Sequence, residues 1–243
     1  MKIGLEYIKY RWNTKIRKGI TTPFTRDFYK TCLSISLDSN SRAELKQLFT
    51  RLKSDQRILK IEDFGAGSKK LGSSRKVSTI LKTSSSKGKY GKILYQLNKH
   101  YQFKNCLELG TSLGVGTTYL SLGFPESNIT TIEACAETRA VALENFETKP
   151  IINCVHLTFE NFLKNHQDVI YDFVYIDGHH DGEALKQYIK MLEPFTNVNT
   201  VYMLDDIRWS QSMFYAWKNL SINDDFEVAI DLFRIGILRK SSS

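Results

Sequence analysis

The sequence has no long apolar run. No stretch approaches the 18 consecutive apolar residues expected of a membrane-spanning helix. The opening residues, MKIGLEYIKYRWNTK, carry charges where a secretory signal peptide would have its apolar core. Both absences argue against a membrane-spanning or secreted protein, so we expect a cytoplasmic one. At 243 residues, 42% of them hydrophobic, the chain is long enough for one well-buried domain and an accessory element.

Cysteine is scarce, and its spacing does not suit a metal or redox motif. The four cysteines, Cys32, Cys106, Cys135 and Cys154, form no CxxC pair. Cys106 and Cys154 fall inside apolar runs, where a free thiol behaves as a small hydrophobic side chain. We therefore expect reduced cysteines within the core.

Acidic residues are scarce in the first part of the chain and abundant in the rest. Residues 1–104 hold 24 Lys and Arg against 7 Asp and Glu, whereas residues 105–243 hold 10 against 19, and the net charge is +8. Such asymmetry can mark an anionic partner, for example nucleic acid, lipid or an acidic substrate. It is equally consistent with a basic segment that packs on the chain's own acidic domain.

The first hundred residues show no convincing alternation of apolar and polar side chains, so we expect helices and loops there but no strands. The firmest prediction is a helix over residues 41–60, because Ser41 and Glu44 form a capping box ahead of apolar residues on one helical face. Residues 64–88 look like loops around a short helical stretch, RKVSTILK. We interpret residues 1–88 as a helical cap or lid.

From about residue 90, apolar strands alternate with amphipathic helices. Strands are expected near residues 105–109, 129–133, 152–156, 171–176 and 200–204, and helices near residues 113–123, 136–147, 158–166 and 182–192. This alternation predicts that residues 89–243 form an α/β domain with a Rossmann-like, doubly wound and mostly parallel sheet. The tail, FEVAIDLFRIGILRK, predicts an antiparallel hairpin with its turn near Arg234, which could close the sheet edge.

Three glycines interrupt the first of these apolar runs, CLELGTSLGVGTTYL. They follow Glu108 at the strand end and precede a helix that starts near Leu113, which is where an open α/β sheet binds a nucleotide-like ligand. The spacing is not GxGxxG, and no Lys-Ser or Lys-Thr pair follows as in a P-loop, so pyrophosphate binding is disfavoured. Tight turns alone would also explain the glycines.

A second acidic residue, Glu133, ends the next strand, where a carboxylate can accept hydrogen bonds from both ribose hydroxyls of a cofactor. NAD sites share that acid. The motif ELGTSLGVG, however, resembles motif I of class I methyltransferases that use S-adenosylmethionine (SAM). The resemblance implies SAM as the cofactor, with Gly110 and Gly114 beside its methionine part and Glu133 at its ribose. The full set of expected cofactor-binding residues is Glu108, Gly110, Thr111, Ser112, Gly114, Glu133, Asp177 and Tyr90.

Another glycine-rich stretch, IEDFGAGSKK, also places an acid before spaced glycines. No apolar strand that ends in an acid follows it, so it cannot start a βαβ unit. We expect this stretch to be a loop near the mouth of the cofactor site.

Three carboxylates follow the fourth and fifth strands of the domain. Asp177 comes just after one strand, and Asp205 and Asp206 end the next. Both strand ends open on the ligand side of a doubly wound sheet, so the three side chains should converge. A hard divalent cation such as Mg²⁺ would offset their repulsion and could activate an acceptor hydroxyl. The alternative is that these acids cap the next helix or accept hydrogen bonds from loop N–H groups.

His180 comes three residues after Asp177 and is the natural general base, because histidine titrates near neutral pH. The D-G-x-H pattern, followed by a strand that ends in two acids, resembles metal-dependent O-methyltransferases of small molecules, including those that act on sugars of macrolide antibiotics. The resemblance implies that Asp177, Asp205 and Asp206 bind the metal and that His180 is the base. His179 is a second histidine that could serve instead. The acid pair is Asp-Asp where catechol-type enzymes have Asp-Asn.

The expected function is therefore SAM-dependent O-methylation of a hydroxyl on a small molecule or glycan, with Trp209 and Tyr90 as candidates to flank the substrate or cofactor. One alternative is methylation of nucleic acid or another polyanion, which the basic first part would attract; the lack of an NPPY-like tetrapeptide, typical of amino-methylating enzymes, weakens it. The other is a non-catalytic binding module. A homo-oligomer is compatible with each of these.

Overall fold

A computed structural model describes residues 16–18, 21–33, 36–62, 73–83, 86–149, 151–165 and 169–241. The strands are β1 (Ile16–Lys18), β2 (Ile58–Ile61), β3 (Ser73–Lys76), β4 (Asn105–Leu109), β5 (Asn128–Ile132), β6 (Ile152–Val155), β7 (Tyr171–Ile176), β8 (Thr196–Leu204), β9 (Phe226–Asp231) and β10 (Gly236–Lys240). The helices are α1 (Pro23–Asp27), α2 (Ser39–Ser54), α3 (Val77–Thr83), α4 (Lys89–Tyr101), α5 (Val115–Gly123), α6 (Ala136–Phe146), α7 (Phe159–Asn165), α8 (Gly182–Leu192) and α9 (Gln211–Ile222).

The main sheet has the strand order β1-β9-β10-β8-β7-β4-β5-β6. The strands from β8 to β6 are parallel, and β1, β9 and β10 pair antiparallel with their neighbours. The chain runs outward from β4 through β5 to β6 and then returns to β7 on the other side of β4. This reversal is where a doubly wound sheet binds its ligand. The predicted fold class is confirmed, including the antiparallel hairpin at the carboxyl end, although β1 rather than the hairpin forms the edge of the sheet.

The amino-terminal segment contains strands, so the prediction of helices and loops alone was wrong. β1 pairs with β9 in the main sheet, and β2 and β3 form a separate two-stranded antiparallel sheet. β3 has the sequence SSRK, which contains no apolar residue, and β1 is only three residues long. Neither strand can therefore show the alternation from which strands are predicted.

The helix predicted over residues 41–60 is displaced toward the amino terminus. α2 begins at Ser39, because Asp38 is the N-cap and its carboxylate accepts a hydrogen bond from the Ser41 N–H at 2.8 Å. Asp55 has extended backbone angles and ends the helix, after which the chain enters β2. The predicted capping box therefore lies inside the helix rather than at its start.

Three helices, α1, α4 and α9, were not predicted. α4 starts in the sequence KYGK, in which glycine suggests a loop. In the folded protein the lack of a side chain at Gly91 has a packing reason, because a Cβ atom there would overlap the ring of Tyr119 on α5. The close packing of α4 on α5 thus depends on a residue that lowers helix propensity.

The hydrophobic core is continuous between the two predicted parts of the chain. Leu48 of α2, Ile80 of α3, Ile93 of α4 and Ile230 of β9 belong to one buried cluster. The domain division at residue 88 stays a prediction. All four cysteines are buried free thiols, as expected. In the part of the chain that the structure describes, no helix is both long and apolar enough to span a bilayer.

Contacts between the basic first part and the acidic second part join the end of α2 and strand β2 to α6. The Arg57 guanidinium donates two hydrogen bonds to the Glu144 carboxylate, both at 2.7 Å. The Lys60 N–H donates to the Glu137 carboxylate at 2.6 Å. These contacts agree with a basic segment that packs on the chain's own acidic domain.

Candidate active site

The turn after β4 presents its backbone to the carboxyl edge of the sheet. Gly110 has φ = +111°, and a Cβ atom there would overlap the carbonyl oxygen of Asp177. The N–H groups of Gly110 and Thr111 donate to the carbonyl oxygen of Ile132 at 3.1 and 3.2 Å. The turn is thus held between the ends of β5 and β7, and glycine alone suits its first position.

Glu108 lies beneath this turn and is 1% exposed. Its carboxylate accepts hydrogen bonds from the hydroxyls of Thr117 and Thr131, the latter at 2.6 Å. The Thr131 hydroxyl in turn accepts from that of Thr111 at 2.6 Å. Burial raises the pKa of Glu108 to about 7. Glu108 therefore supports the turn from below.

Glu133 lies at the rim of the sheet directly after β5. Its carboxylate accepts hydrogen bonds from the N–H groups of Ser112 at 2.7 Å and Cys135 at 2.9 Å. Ser112 adopts φ = 49°, a conformation that is uncommon for a residue with a side chain and that recurs at functional sites. Burial raises the pKa of Glu133 above its ordinary value. The two backbone donors fix the orientation of this carboxylate.

A cavity of about 160 Å³ opens at the carboxyl ends of β4, β5 and β7. It is lined by Glu62, Gly110, Ser112, Glu133, Ala134, Thr158, Phe159, Asp177, Gly178 and His179. Four of the predicted cofactor-binding residues, Gly110, Ser112, Glu133 and Asp177, are therefore brought together. Glu62 is the last described residue before the second glycine-rich stretch, most of which lies outside the described residues.

The other predicted cofactor-binding residues lie away from this cavity. Glu108 and Thr111 are buried under the turn. Gly114 faces Phe146 of α6, whose ring a Cβ atom would contact at 2.5 Å. Tyr90 lies in α4, with its ring 5.2 Å from the guanidinium carbon of Arg234. Their assignment to the cofactor stays a prediction.

The three predicted carboxylates do converge, and an arginine lies among them. Arg234, in the turn between β9 and β10, donates from Nε to Asp205 Oδ1 at 2.8 Å and from Nη2 to Asp205 Oδ2 at 2.7 Å. Its Nε atom is also 3.1 Å from Asp206 Oδ1. The side chain of Asp205 has no exposed surface. The repulsion between these two acids is therefore offset by a residue of the chain itself.

Asp177 is held by hydroxyl groups. Its Oδ2 atom accepts hydrogen bonds from the Tyr175 hydroxyl at 3.0 Å and from the Ser86 hydroxyl at 3.1 Å. The same two hydroxyls are 3.2 and 3.4 Å from Oδ2 of Asp205. Burial, together with the charge of Asp205, raises the pKa of Asp177 well above its ordinary value. Asp177 thus borders both the cavity and the carboxylate cluster.

His180 faces the same cluster from the loop after β7. Its Nε2 atom is 3.8 Å from Asp206 Oδ2, and its ring centroid is 5.3 Å from that of Trp209. Its Nδ1 atom is buried and has no hydrogen-bond partner among the described residues. His180 and Asp206 both adopt positive φ angles, +27° and +49°. Such strained backbone recurs at functional sites.

His179 points to the other side, toward the cavity. Its ring packs on Phe159 with centroids 5.0 Å apart, and its Nδ1 atom is hydrogen-bonded to the Tyr188 hydroxyl. The Glu160 carboxylate lies 3.9 Å from the same nitrogen. Of the two histidines, it is His180 that the fold brings to the carboxylate cluster.

Three site residues were not identified from the sequence as part of the cluster: Ser86, Tyr175 and Arg234. Tyr175 reads as one more apolar residue of the strand YDFVYI, and Ser86 lies in the loop-like TSSSKGK. Arg234 was recognised only as the turn of the hairpin. The strand order places that turn beside the end of β8, and no local pattern reveals this pairing.

The comparisons with known proteins agree with this geometry. Residues 107–207 match the family model described as a methyltransferase domain. The chain contains a methyltransferase domain. The matched residues run from β4 to the turn after β8 and include both the glycine turn and the carboxylates. The predicted class of protein is confirmed.

Solved structures of methyltransferases share the fold of most of this chain. The O-methyltransferase from Bacillus cereus, in complex with SAH, has a TM-score of 0.59 at 18% identity, with 88% of this chain and 97% of that chain covered. TomG from Streptomyces achromogenes, an O-methyltransferase involved in tomaymycin synthesis and in complex with SAM, has a TM-score of 0.60 at 13% identity, with coverages of 90% and 96%. No curated protein matches the sequence.

Proposed function

We propose that this chain is a SAM-dependent O-methyltransferase that acts on a hydroxyl of a small molecule or sugar. The observation that carries the proposal is the position of Asp177, which borders both the cavity of the glycine turn and the cluster of Asp205, Asp206 and His180. A cofactor in the cavity and an acceptor at the cluster would therefore meet at one place.

The cavity suits one part of the cofactor. Glu133 is oriented by two backbone N–H groups, and its carboxylate can accept hydrogen bonds from a ribose. Ligand pockets usually measure about 300–1,000 Å³, so a volume of about 160 Å³ accommodates only a part of SAM. The remainder would extend past Gly110 toward Asp177. SAM supplies a methyl group on a positively charged sulfur.

His180 is the proposed general base. Asp206 faces its Nε2 atom and would stabilise the imidazolium that forms when His180 accepts a proton. His180 would take the proton of the acceptor hydroxyl while that oxygen would receive the methyl group of SAM, with SAH as the leaving product. General-base catalysis of this kind contributes about 100-fold or more.

The class of acceptor is supported by the structural neighbours and by the surface next to His180. The neighbours from Bacillus cereus and Streptomyces achromogenes are O-methyltransferases. Trp209 is 67% exposed beside His180 and offers an aromatic face to an organic acceptor. No observation on the described residues favours nucleic acid as the acceptor.

The predicted divalent metal ion does not fit the side chains. Arg234 binds both oxygens of Asp205, and no group of three or more His, Cys, Asp or Glu side chains within the described ranges has a spacing that could hold a metal ion. We therefore assign no step of the transfer to a metal.

The test is mass spectrometry of a cell extract incubated with the protein and SAM labelled in its methyl group. We expect the label in a small molecule, and we expect His180→Gln to lower the rate about 100-fold while SAH binding is retained. The matched control is His100→Gln, which changes an exposed histidine at the end of α4. Label only in nucleic acid or protein, or an unchanged rate in the His180 variant, would contradict the proposal.

A further inference from the structure

We infer that Arg234 is the resident cation of the active site and that this chain neither binds nor needs a divalent metal ion there. The inference about catalysis rests on the proposed function. The inference about metal affinity does not, because it concerns the side chains of the free protein.

Arg234 supplies positive charge next to two of the three carboxylates. Asp205 and Asp206 follow one another in sequence and face the same side of the cluster, and Arg234 is within 3.1 Å of an oxygen of each. Its contact with Asp205 is bidentate, the geometry in which arginine and carboxylate bind most strongly. Arginine keeps its charge throughout the physiological pH range. The positive charge of Arg234 thus already offsets part of the negative charge that a metal ion would otherwise offset.

Both carboxylate oxygens of Asp205 already accept hydrogen bonds. Oδ1 accepts from Arg234 Nε and from the Asp206 N–H at 2.7 Å, and Oδ2 accepts from Arg234 Nη2. A metal ligand needs a lone pair directed at the ion. Binding an ion to Asp205 would therefore either displace Arg234 from this carboxylate or place the ion next to the guanidinium.

Arg234 is held in place through both its backbone and its side chain. The backbone N–H of Arg234 donates to the carbonyl oxygen of Leu232 at 3.0 Å, and its backbone carbonyl oxygen accepts from the Ile207 N–H at 2.9 Å. The guanidinium lies over the ring of Tyr90, with 5.2 Å between its central carbon and the ring centroid. This stacking is a cation–π contact, which suits the planar guanidinium. Arg234 is accordingly part of the folded site rather than a mobile surface side chain.

These contacts make Arg234 a positioning residue. It fixes Asp205 and Asp206, and the second oxygen of Asp206 faces the proposed base, His180. Loss of the guanidinium should misplace His180 and its partner more than it affects the cavity at Glu133. We therefore expect an effect on kcat rather than on cofactor affinity.

Calorimetric titration with Mn²⁺, together with activity in EDTA, tests the inference. Wild-type protein should show no saturable Mn²⁺ binding and full activity in EDTA. Arg234→Met should lower kcat about 100-fold with SAH affinity unchanged, and Arg234→Lys should restore part of the rate. Arg57→Met is the matched control, because Arg57 forms a bidentate carboxylate contact on the surface, away from the site.

The outcomes separate this inference from the proposed function. Saturable Mn²⁺ binding to the wild-type protein, or activity lost in EDTA and restored by Mg²⁺, would overturn the inference while leaving the proposed function intact. Absence of SAH binding and of any methyl transfer would instead refute the proposed function. The two wild-type measurements need no variant, so they decide the question even if Arg234→Met does not fold.

Discussion

At the residue scale, the site depends on a glycine in the turn after β4 and on a buried carboxyl group with a raised pKa. Gly110 allows the turn after β4 to approach the backbone of Asp177. Glu108 supports that turn as a buried carboxyl group whose pKa is raised to about 7. Gly110 brings the ends of β4 and β7 together, whereas Glu108 joins β4 to β5 and α5. Each has a measurable consequence for stability.

Gly110→Ala should destabilise the fold by about 3 kcal/mol or more, because the new Cβ atom would combine positive φ with overlap of the Asp177 carbonyl. The control is Gly88→Ala. Gly88 also has positive φ, +62°, but no atom lies within 4 Å of the position that its Cβ would take, so Gly88→Ala should cost only the conformational strain, about 1–3 kcal/mol, and less than Gly110→Ala. Equal losses in urea unfolding would show that the close approach at Gly110 is unimportant.

Glu108 should make stability depend on pH. The folded state keeps its proton up to about pH 7, whereas the ordinary value for the unfolded chain is 4.5. The folded state thus binds more protons between these values, and stability falls as the pH rises through them, by about 3 kcal/mol in total. The difference in unfolding free energy between wild type and Glu108→Gln should decline by this amount between pH 4.5 and 8.

At the element scale, the elements that could be predicted are those with their own apolar pattern. The strands from β4 to β8 and the helices α5 to α8 follow the predicted order, and β7 and α8 have the predicted bounds. The elements that were missed depend on partners distant in sequence. β1 exists through its pairing with β9, and α4 tolerates Gly91 because Tyr119 packs there. The location of Arg234 within the site could not be predicted either, because it follows from the pairing of β10 with β8.

The hairpin that carries Arg234 is tied to the turn after β8 by a buried ion pair. The Arg208 guanidinium donates to both oxygens of Asp231 at 2.8 and 2.7 Å, and the two side chains are 6% and 0% exposed. Arg208→Met should cost about 3–5 kcal/mol, because it leaves a buried carboxylate without its cationic partner. Arg57→Met removes the contacts of a half-exposed guanidinium with Glu144 and Asp55 and should cost less than Arg208→Met, because water can reach the Arg57 site. Similar losses for both variants in urea unfolding would contradict the role assigned to this pair.

At the scale of the whole molecule, the strand order explains how a site forms from distant segments. The reversal between β4 and β7 creates the cavity, and the antiparallel addition of β10 beside β8 brings Arg234 to the carboxylates. The sequence allowed the class of enzyme and the three acids to be predicted, because those signals lie at predicted strand ends. It could not reveal that the charge of the acids is offset by arginine.

We expect the turn after β4 and the carboxylate after β5 to form a cofactor site that meets the acidic cluster at Asp177. A crystal soaked with SAH would show whether they do. We expect its ribose at Glu133, its sulfur toward Asp177 and Arg234 still bound to Asp205. An empty cavity at high SAH concentration, or SAH bound elsewhere on the molecule, would contradict the account.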